Sequence, residues 1–95
     1  MSYKVPVVKR ADYTIYLQEL DGMVWAHCDV FRWTSSVSRA LRMDADALYR
    51  MQGGPWFALH DPPGDKKHEH FLKHVGFKLL GSVESGGVKR QIFKR

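Results

Sequence analysis

Two periods of hydrophobic spacing alternate along this chain. From Tyr13 to Leu20 aromatic and β-branched residues dominate, and from Met23 to Phe31 the residues Val24, Ala26, Cys28 and Val30 alternate with Trp25, His27 and Asp29. A period of two is that of a strand. Asp21-Gly22 stands between the two runs, and that pair favours a two-residue hairpin turn. The period then lengthens. Val37, Ala40, Leu41, Leu48 and Met51 fall at helical spacing, with Arg39, Arg42, Asp44 and Asp46 on the other faces. Thr34, Ser35 or Ser36 can cap this helix, which is expected from Ser36 to Met51, and Gly53-Gly54 ends it. Pro55 to His60 predicts a short buried strand, and Asp61 to Gly64 a turn. Phe71, Leu72 and Val75 mark a second helix from about Asp65 to His74, stopped by Gly76. Phe77 to Glu84 and Val88 to Lys94 then pair as a hairpin around Ser85-Gly86-Gly87.

This pattern predicts an α+β fold. It is a mixed, mainly antiparallel sheet in ββαβαββ order with two helices. The strand-helix-strand-helix-strand run requires crossovers, hence some parallel pairing. The 95 residues make a single domain over 1–95, with 1–12 as an N-terminal arm. At 44% hydrophobic the chain buries a modest core, so a monomer or a homodimer is expected.

No apolar run approaches the roughly 20 residues that span a bilayer. The N-terminus lacks the long apolar stretch and small-residue cleavage site of a secretory signal. The single cysteine, Cys28, excludes an internal disulfide and fits a reducing compartment, so a cytoplasmic protein is expected. The formal charge of +5 changes the picture more. A basic surface favours anionic partners: nucleic acid, a phosphorylated cofactor or an acidic protein. Its plainer role is solubility.

The stretch Phe71-Leu72-Lys73-His74-Val75-Gly76-Phe77 is similar to the F-Y-x-K-x-G-F signature near the C-terminus of the GCN5-related N-acetyltransferases. Leu72 stands where that family carries its tyrosine acid. The resemblance covers about Tyr13 to Arg95. It implies a truncated acetyltransferase-like (GNAT-like) fold, with a hairpin leading to a central strand, then the helix that receives the coenzyme A pyrophosphate. The family's pyrophosphate loop is Gln/Arg-x-x-Gly-x-Gly/Ala. Here the matching residues are Phe31, Arg32, Trp33, Thr34, Ser35 and Ser36, with Thr34 and Ser36 in place of the glycines. Together with Val37 they are the acetyl-CoA site that the resemblance implies. An ordinary Ser/Thr N-cap is the structural use of the same residues. Catalysis in the family uses a base on the strand before the loop, where His27 and Asp29 share a face. The segment is also similar to acetyltransferase-like internal virion proteins of short-tailed bacteriophages, through His68, Phe71-Leu72-Lys73 and Gly76. That likeness implies a phage-encoded scaffold contacting a host or virion protein.

Three function classes follow: an N-acetyltransferase acting on an amine, a non-catalytic interaction protein of the same fold, and a basic nucleic-acid binder. His70 and His74 are four apart on one helix, but no third ligand has metal-site spacing, so no metal is expected. Cys28 and Trp56 are expected in the core. Trp33, beside Arg32, is expected near a ligand or partner.

Overall fold

The computed structural model describes residues 3–60 and 64–95. Its elements are β1 (Val5–Lys9), β2 (Tyr13–Leu20), β3 (Met23–Val30), α1 (Ser35–Gln52), β4 (Trp56–His60), α2 (Lys66–His74), β5 (Lys78–Ser85) and β6 (Val88–Lys94). They form one six-stranded sheet in the order β1-β2-β3-β4-β6-β5. Among the described residues only β3 and β4 pair in parallel; the other pairs are antiparallel. The mixed, mainly antiparallel α+β architecture is the expected one. Most of the turn expected at 61–64 lies outside the described residues.

One strand differs from expectation. Residues 5–9 are not an arm but an edge strand, paired with β2 from Val5↔Leu17 to Lys9↔Thr14. Pro6 and a bulge between Pro6 and Val8 break the alternation that announces a strand. The hairpin turn follows its composition: Asp21 (φ 53°) and Gly22 (φ 74°) both take the left-handed conformation that this tight turn requires.

Both helices cover the same face of the sheet. Val37, Leu41 and Ala45 of α1, Leu72 of α2 and Val75 just beyond it cluster with Tyr13, Ile15, Trp56, Ala58, Phe77 and Phe93. Two members of the expected α1 stripe are not in this core. Ala40 is exposed, and Met51 lies in the last turn, 84% exposed. Ala45 takes part instead, because 37, 41, 45 and 48 stay within one narrow stripe at 100° per residue.

The end of α2 explains the Gly-Phe pair physically. Gly76 has φ 94°, its N–H donates to the Lys73 carbonyl at 3.1 Å, and the Phe77 N–H donates to the Leu72 carbonyl at 2.9 Å. This pair of bonds is the Schellman motif, and its usual apolar contact is made by Phe77 and Leu72 in the core. A Cβ on Gly76 would also lie 3.1 Å from Arg95 Nε. Gly76→Ala is therefore expected to cost about 1–2 kcal/mol, the penalty of a left-handed non-glycine residue. Urea unfolding measures it, and an unchanged midpoint would contradict this account.

Candidate cofactor cleft

Parallel pairing of β3 with β4 is brief. It holds at Val24↔Trp56 and Trp25↔Phe57, after which β3 runs on to Val30 and β4 to His60 without pairing to each other. The divergence opens a cleft of about 410 Å³, within the roughly 300–1,000 Å³ of small-molecule sites. Toward the helices its walls are mainly apolar: Ala26 and Cys28 on β3, Ala58 on β4, Leu41 and Ala45 on α1, and Phe71 on α2, with His68 of α2 among them. The cleft lies toward the carboxyl ends of two parallel strands, where such sheets take ligands.

The loop Phe31 to Thr34 joins this end of β3 to α1. Two bonds from the Phe31 and Arg32 N–H groups to the Asp12 carbonyl, at 2.8 and 3.3 Å, pin it. Thr34 caps α1, its hydroxyl accepting from the Val37 N–H at 3.2 Å. The Ser38 N–H is taken by the Thr34 carbonyl. The helix start leaves its first N–H groups without intrahelical acceptors, so the exposed Ser35 and Ser36 carry the amides that can meet an anion. Of the predicted loop residues, Val37 alone points inward, 7% exposed. Phe31 and Trp33 are exposed, and Trp33 packs edge-on to Phe71 at 5.9 Å and to His74 at 6.3 Å.

His27 and Asp29 lie on the sheet face away from the helices and also line the cleft. They do not act as an isolated pair; β2 organises them. Gln18 Oε1 is 2.9 Å from His27 Nε2, and the Tyr16 hydroxyl donates to Asp29 Oδ2 at 3.0 Å. An amide oxygen only accepts, so the imidazole proton sits on Nε2 and the Nδ1 lone pair is free. Burial, then the charge of Lys4, pushes the His27 pKa down against the opposing pull of Asp29. The ring is therefore neutral at neutral pH and able to accept a proton. The Asp29 carboxylate in turn holds the Tyr16 phenol above its ordinary value.

Tyr16, Gln18 and Lys4 were not among the predicted site residues. A signal for the first two existed: the Asp21-Gly22 turn fixes the hairpin register, which sets Tyr16 opposite His27 and Gln18 opposite Trp25. Lys4 carried no such signal, because it precedes the unexpected strand. Cys28 is half-buried and its thiol is pushed up to about 12, mainly by burial, so it is an inert wall of the cleft. Among the described residues, two of the histidines on β4 and α2 pair with each other, and a third meets α1. His60 and His68 face each other Nδ1 to Nδ1 at 2.7 Å, and His74 Nε2 lies 2.8 Å from the Ser38 hydroxyl. Leu72, at the tyrosine position of the signature, is 4% exposed and lines the cleft floor.

No protein-family profile matches the chain, and no curated protein matches it. Solved structures do. The ribosomal-protein-S5-alanine acetyltransferase of Vibrio fischeri superposes with a TM-score of 0.66 at 12% identity, over 87% of this chain and 52% of that one. A Bordetella pertussis protein assigned to the GnaT acetyltransferase family gives 0.61 at 13% identity, over 87% and 64%. An aminoglycoside acetyltransferase in complex with coenzyme A gives 0.57 at 10% identity, over 88% and 66%. The chain has the fold of the GNAT acetyltransferases. It spans about half to two thirds of the length of these structures. The GNAT-like order of elements expected from the Gly-Phe signature is thus present, and one structure of that fold holds coenzyme A. Among the described residues no helix is long and apolar enough to cross a membrane.

Proposed function

We propose that the cleft between β3 and β4 binds acetyl-CoA and that the protein transfers an acetyl group to an amine. One observation carries this reading: β3 and β4 part after Trp25↔Phe57, and the carboxyl end of β3 leads through the loop 31–34 into the N-terminus of α1. The residues present fit the group. Ser35 and Ser36 at the helix start, the Thr34 hydroxyl and the neighbouring Arg32 suit a diphosphate. Their hydroxyls and amides take over from the family's glycines, while the apolar walls of the cleft suit an uncharged chain. Phe31 and Trp33 flank the loop. The Val37 amide, already bound to Thr34, holds the helix start in shape instead of the ligand.

The bound thioester would supply the activated acetyl group. His27 acts as the base, taking the proton of the acceptor amine at Nδ1 while Gln18 holds Nε2. Asp29, oriented by Tyr16, favours the imidazolium that forms. Leu72 supplies no acid, and this favours a second reading: the same fold retained as a scaffold that contacts another protein, such as a host or virion protein, without turnover.

Calorimetric titration with acetyl-CoA tests the first reading. Saturable binding is expected, weakened about tenfold by Arg32→Ala, the ~1.4 kcal/mol of one charge-assisted phosphate contact. No saturation at millimolar acetyl-CoA would remove the enzyme reading. Binding without release of free thiol in the presence of amines would select the scaffold. Where turnover occurs, the lowered pKa of His27 keeps the base competent below pH 6.5. The rate should then fall only at more acidic pH, and His27→Ala should abolish that dependence.

A further inference from the structure

The sheet has a second face, and its sequence is written as if that face were covered. In β4, Trp56, Ala58 and His60 are buried beneath the helices, yet Phe57 and Leu59 on the opposite face are apolar too. A strand apolar on both faces is the pattern of one covered on both sides. Neither helix reaches this face. Register aligns its apolar residues across three strands: Trp25 with Phe57, whose rings pack at 5.7 Å, and Leu59 with Ile92. Leu59 is 42% exposed. With strands about 4.8 Å apart, the stripe is about 10 Å wide, close to the diameter of an α-helix with its side chains.

Charge says what kind of helix. Alternation places Lys9, Lys78, Arg90 and Lys94 on this face, with Lys4 beside His27 at its rim. Among the described residues, Asp29 is the one carboxylate that shares it. Five of the fifteen basic residues against one of the ten acidic ones put most of the chain's +5 charge here. Lys9 lies to one side on β1, Lys78 to the other on β5, and Lys94 and Arg90 bracket Ile92 along β6.

We propose that this face docks an amphipathic α-helix of a partner protein, with an apolar stripe against Trp25, Phe57, Leu59 and Ile92 and acidic residues on both flanks. A second copy of this chain fits poorly, because it would bring two faces of the same sign together. A nucleic acid strand needs bare aromatic planes to stack on. Trp25 and Phe57 are half-buried against each other, and Leu59 and Ile92 offer no plane.

The test uses three synthetic helical peptides with one common leucine stripe, whose flanks are Glu, Gln or Lys, and a thymidine oligonucleotide, each titrated into isotope-labelled protein. The expected result is saturable amide shifts centred on Trp25, Phe57, Leu59 and Ile92 with the Glu peptide. Affinity should fall in the order Glu, Gln, Lys, and raised salt should weaken it. The double variant Lys78→Glu/Lys94→Glu should bind the Glu peptide at least tenfold more weakly. Its acetyl-CoA binding should equal that of the parent, which separates this test from that of the cleft. No saturable shift with the Glu peptide, equal binding of the Lys peptide, or saturation of the face by the oligonucleotide instead would each overturn the proposal.

Discussion

Trp56→Ala should lower folding stability by about 3–5 kcal/mol, the range for deleting a buried large aromatic side chain. A domain of this size holds roughly 5–15 kcal/mol in total. The variant should therefore lose a large share of its stability, and at the low end of that range it reaches partial unfolding at room temperature. Three features concentrate the loss at this residue. Trp56 is 1% exposed at the centre of the core. Its indole N–H donates to Gln52 Oε1 at 2.9 Å, which ties β4 to the last turn of α1. Its ring stands edge-on to Tyr49 at 5.2 Å, and the Arg95 guanidinium lies 4.6 Å from the centre of that same Tyr49 ring. Its backbone adds to the anchorage, since the Trp56 carbonyl accepts from the Arg95 N–H at 2.9 Å. Trp56→Phe keeps most of the apolar area and loses the indole bond, so it should cost about 1–2 kcal/mol. Urea unfolding distinguishes them: both midpoints fall with an unchanged slope, and the alanine variant falls further. An alanine variant as stable as the phenylalanine one would show that the cavity collapses and that the packing argument is wrong.

The same residue marks where the cleft begins. Trp56 pairs with Val24 and Phe57 with Trp25, and beyond that point the parallel strands part. Small residues line the gap on both sides, Ala26 and Cys28 facing Ala58. Large, tightly packed side chains thus close the sheet at one end and small ones leave room at the other. One network of contacts stabilises the fold and shapes the cavity. On the helix side the gap is mainly apolar, with His68 of α2 as a polar member. On the open side it carries His27 and Asp29, held from β2 by Gln18 and Tyr16, so an uncharged chain and a polar acceptor group would meet different walls.

Much of this fold is legible in the chain itself, because local chemistry and tertiary packing agree. Asp21-Gly22 sets the first hairpin, Gly53 stops α1, and Gly76-Phe77 closes α2; in each a glycine takes a left-handed conformation. β1 escaped notice because Pro6 and a bulge spoil its alternation, and because an edge strand needs no buried side. The misplaced α1 residues have another cause. Spacing assigns a face to a residue, but not whether the sheet extends beneath it, and Met51 lies past that cover. Of the candidate site, the shared face of His27 and Asp29 was legible from their spacing on β3. Their partners Tyr16 and Gln18 follow from the hairpin register only once the turn is trusted to the residue. The cleft was not legible at all: the loss of pairing after Trp25↔Phe57 is a property of two strands distant in sequence, and neither strand encodes it alone.

A second large effect is expected at Asp44. Its carboxylate receives both Arg10 Nε and Nη2 at 3.0 Å and the Tyr13 hydroxyl at 2.5 Å. Tyr13 opens β2 and is 2% exposed, so Asp44 joins the start of that strand to the middle of α1. The adjoining Asp12 carbonyl holds the loop before α1, so this junction also places the proposed anion site. Asp44→Ala strands a buried hydroxyl and should cost about 2 kcal/mol, typical of a hydrogen bond to a charged group. The pH dependence has two limbs with definite signs. The Arg10 hydrogen bonds hold the Asp44 carboxyl below its ordinary value of 3.8 despite burial. This contribution is present above that pH and is lost as pH falls through the lower folded value. Burial, and then the hydrogen bond to Asp44, pushes the Tyr13 phenol up to about 12 from its ordinary 10.0. That contribution is present below pH 10 and disappears as pH rises toward 12. Asp44→Asn can still accept from Tyr13 but cannot ionise, so its stability should decline less than the parent's on the acid side. Urea midpoints measured from pH 3 to pH 11 read both limbs. Acid-side curves that run parallel for the parent and Asp44→Asn would show that the bond to Arg10 contributes nothing to folding.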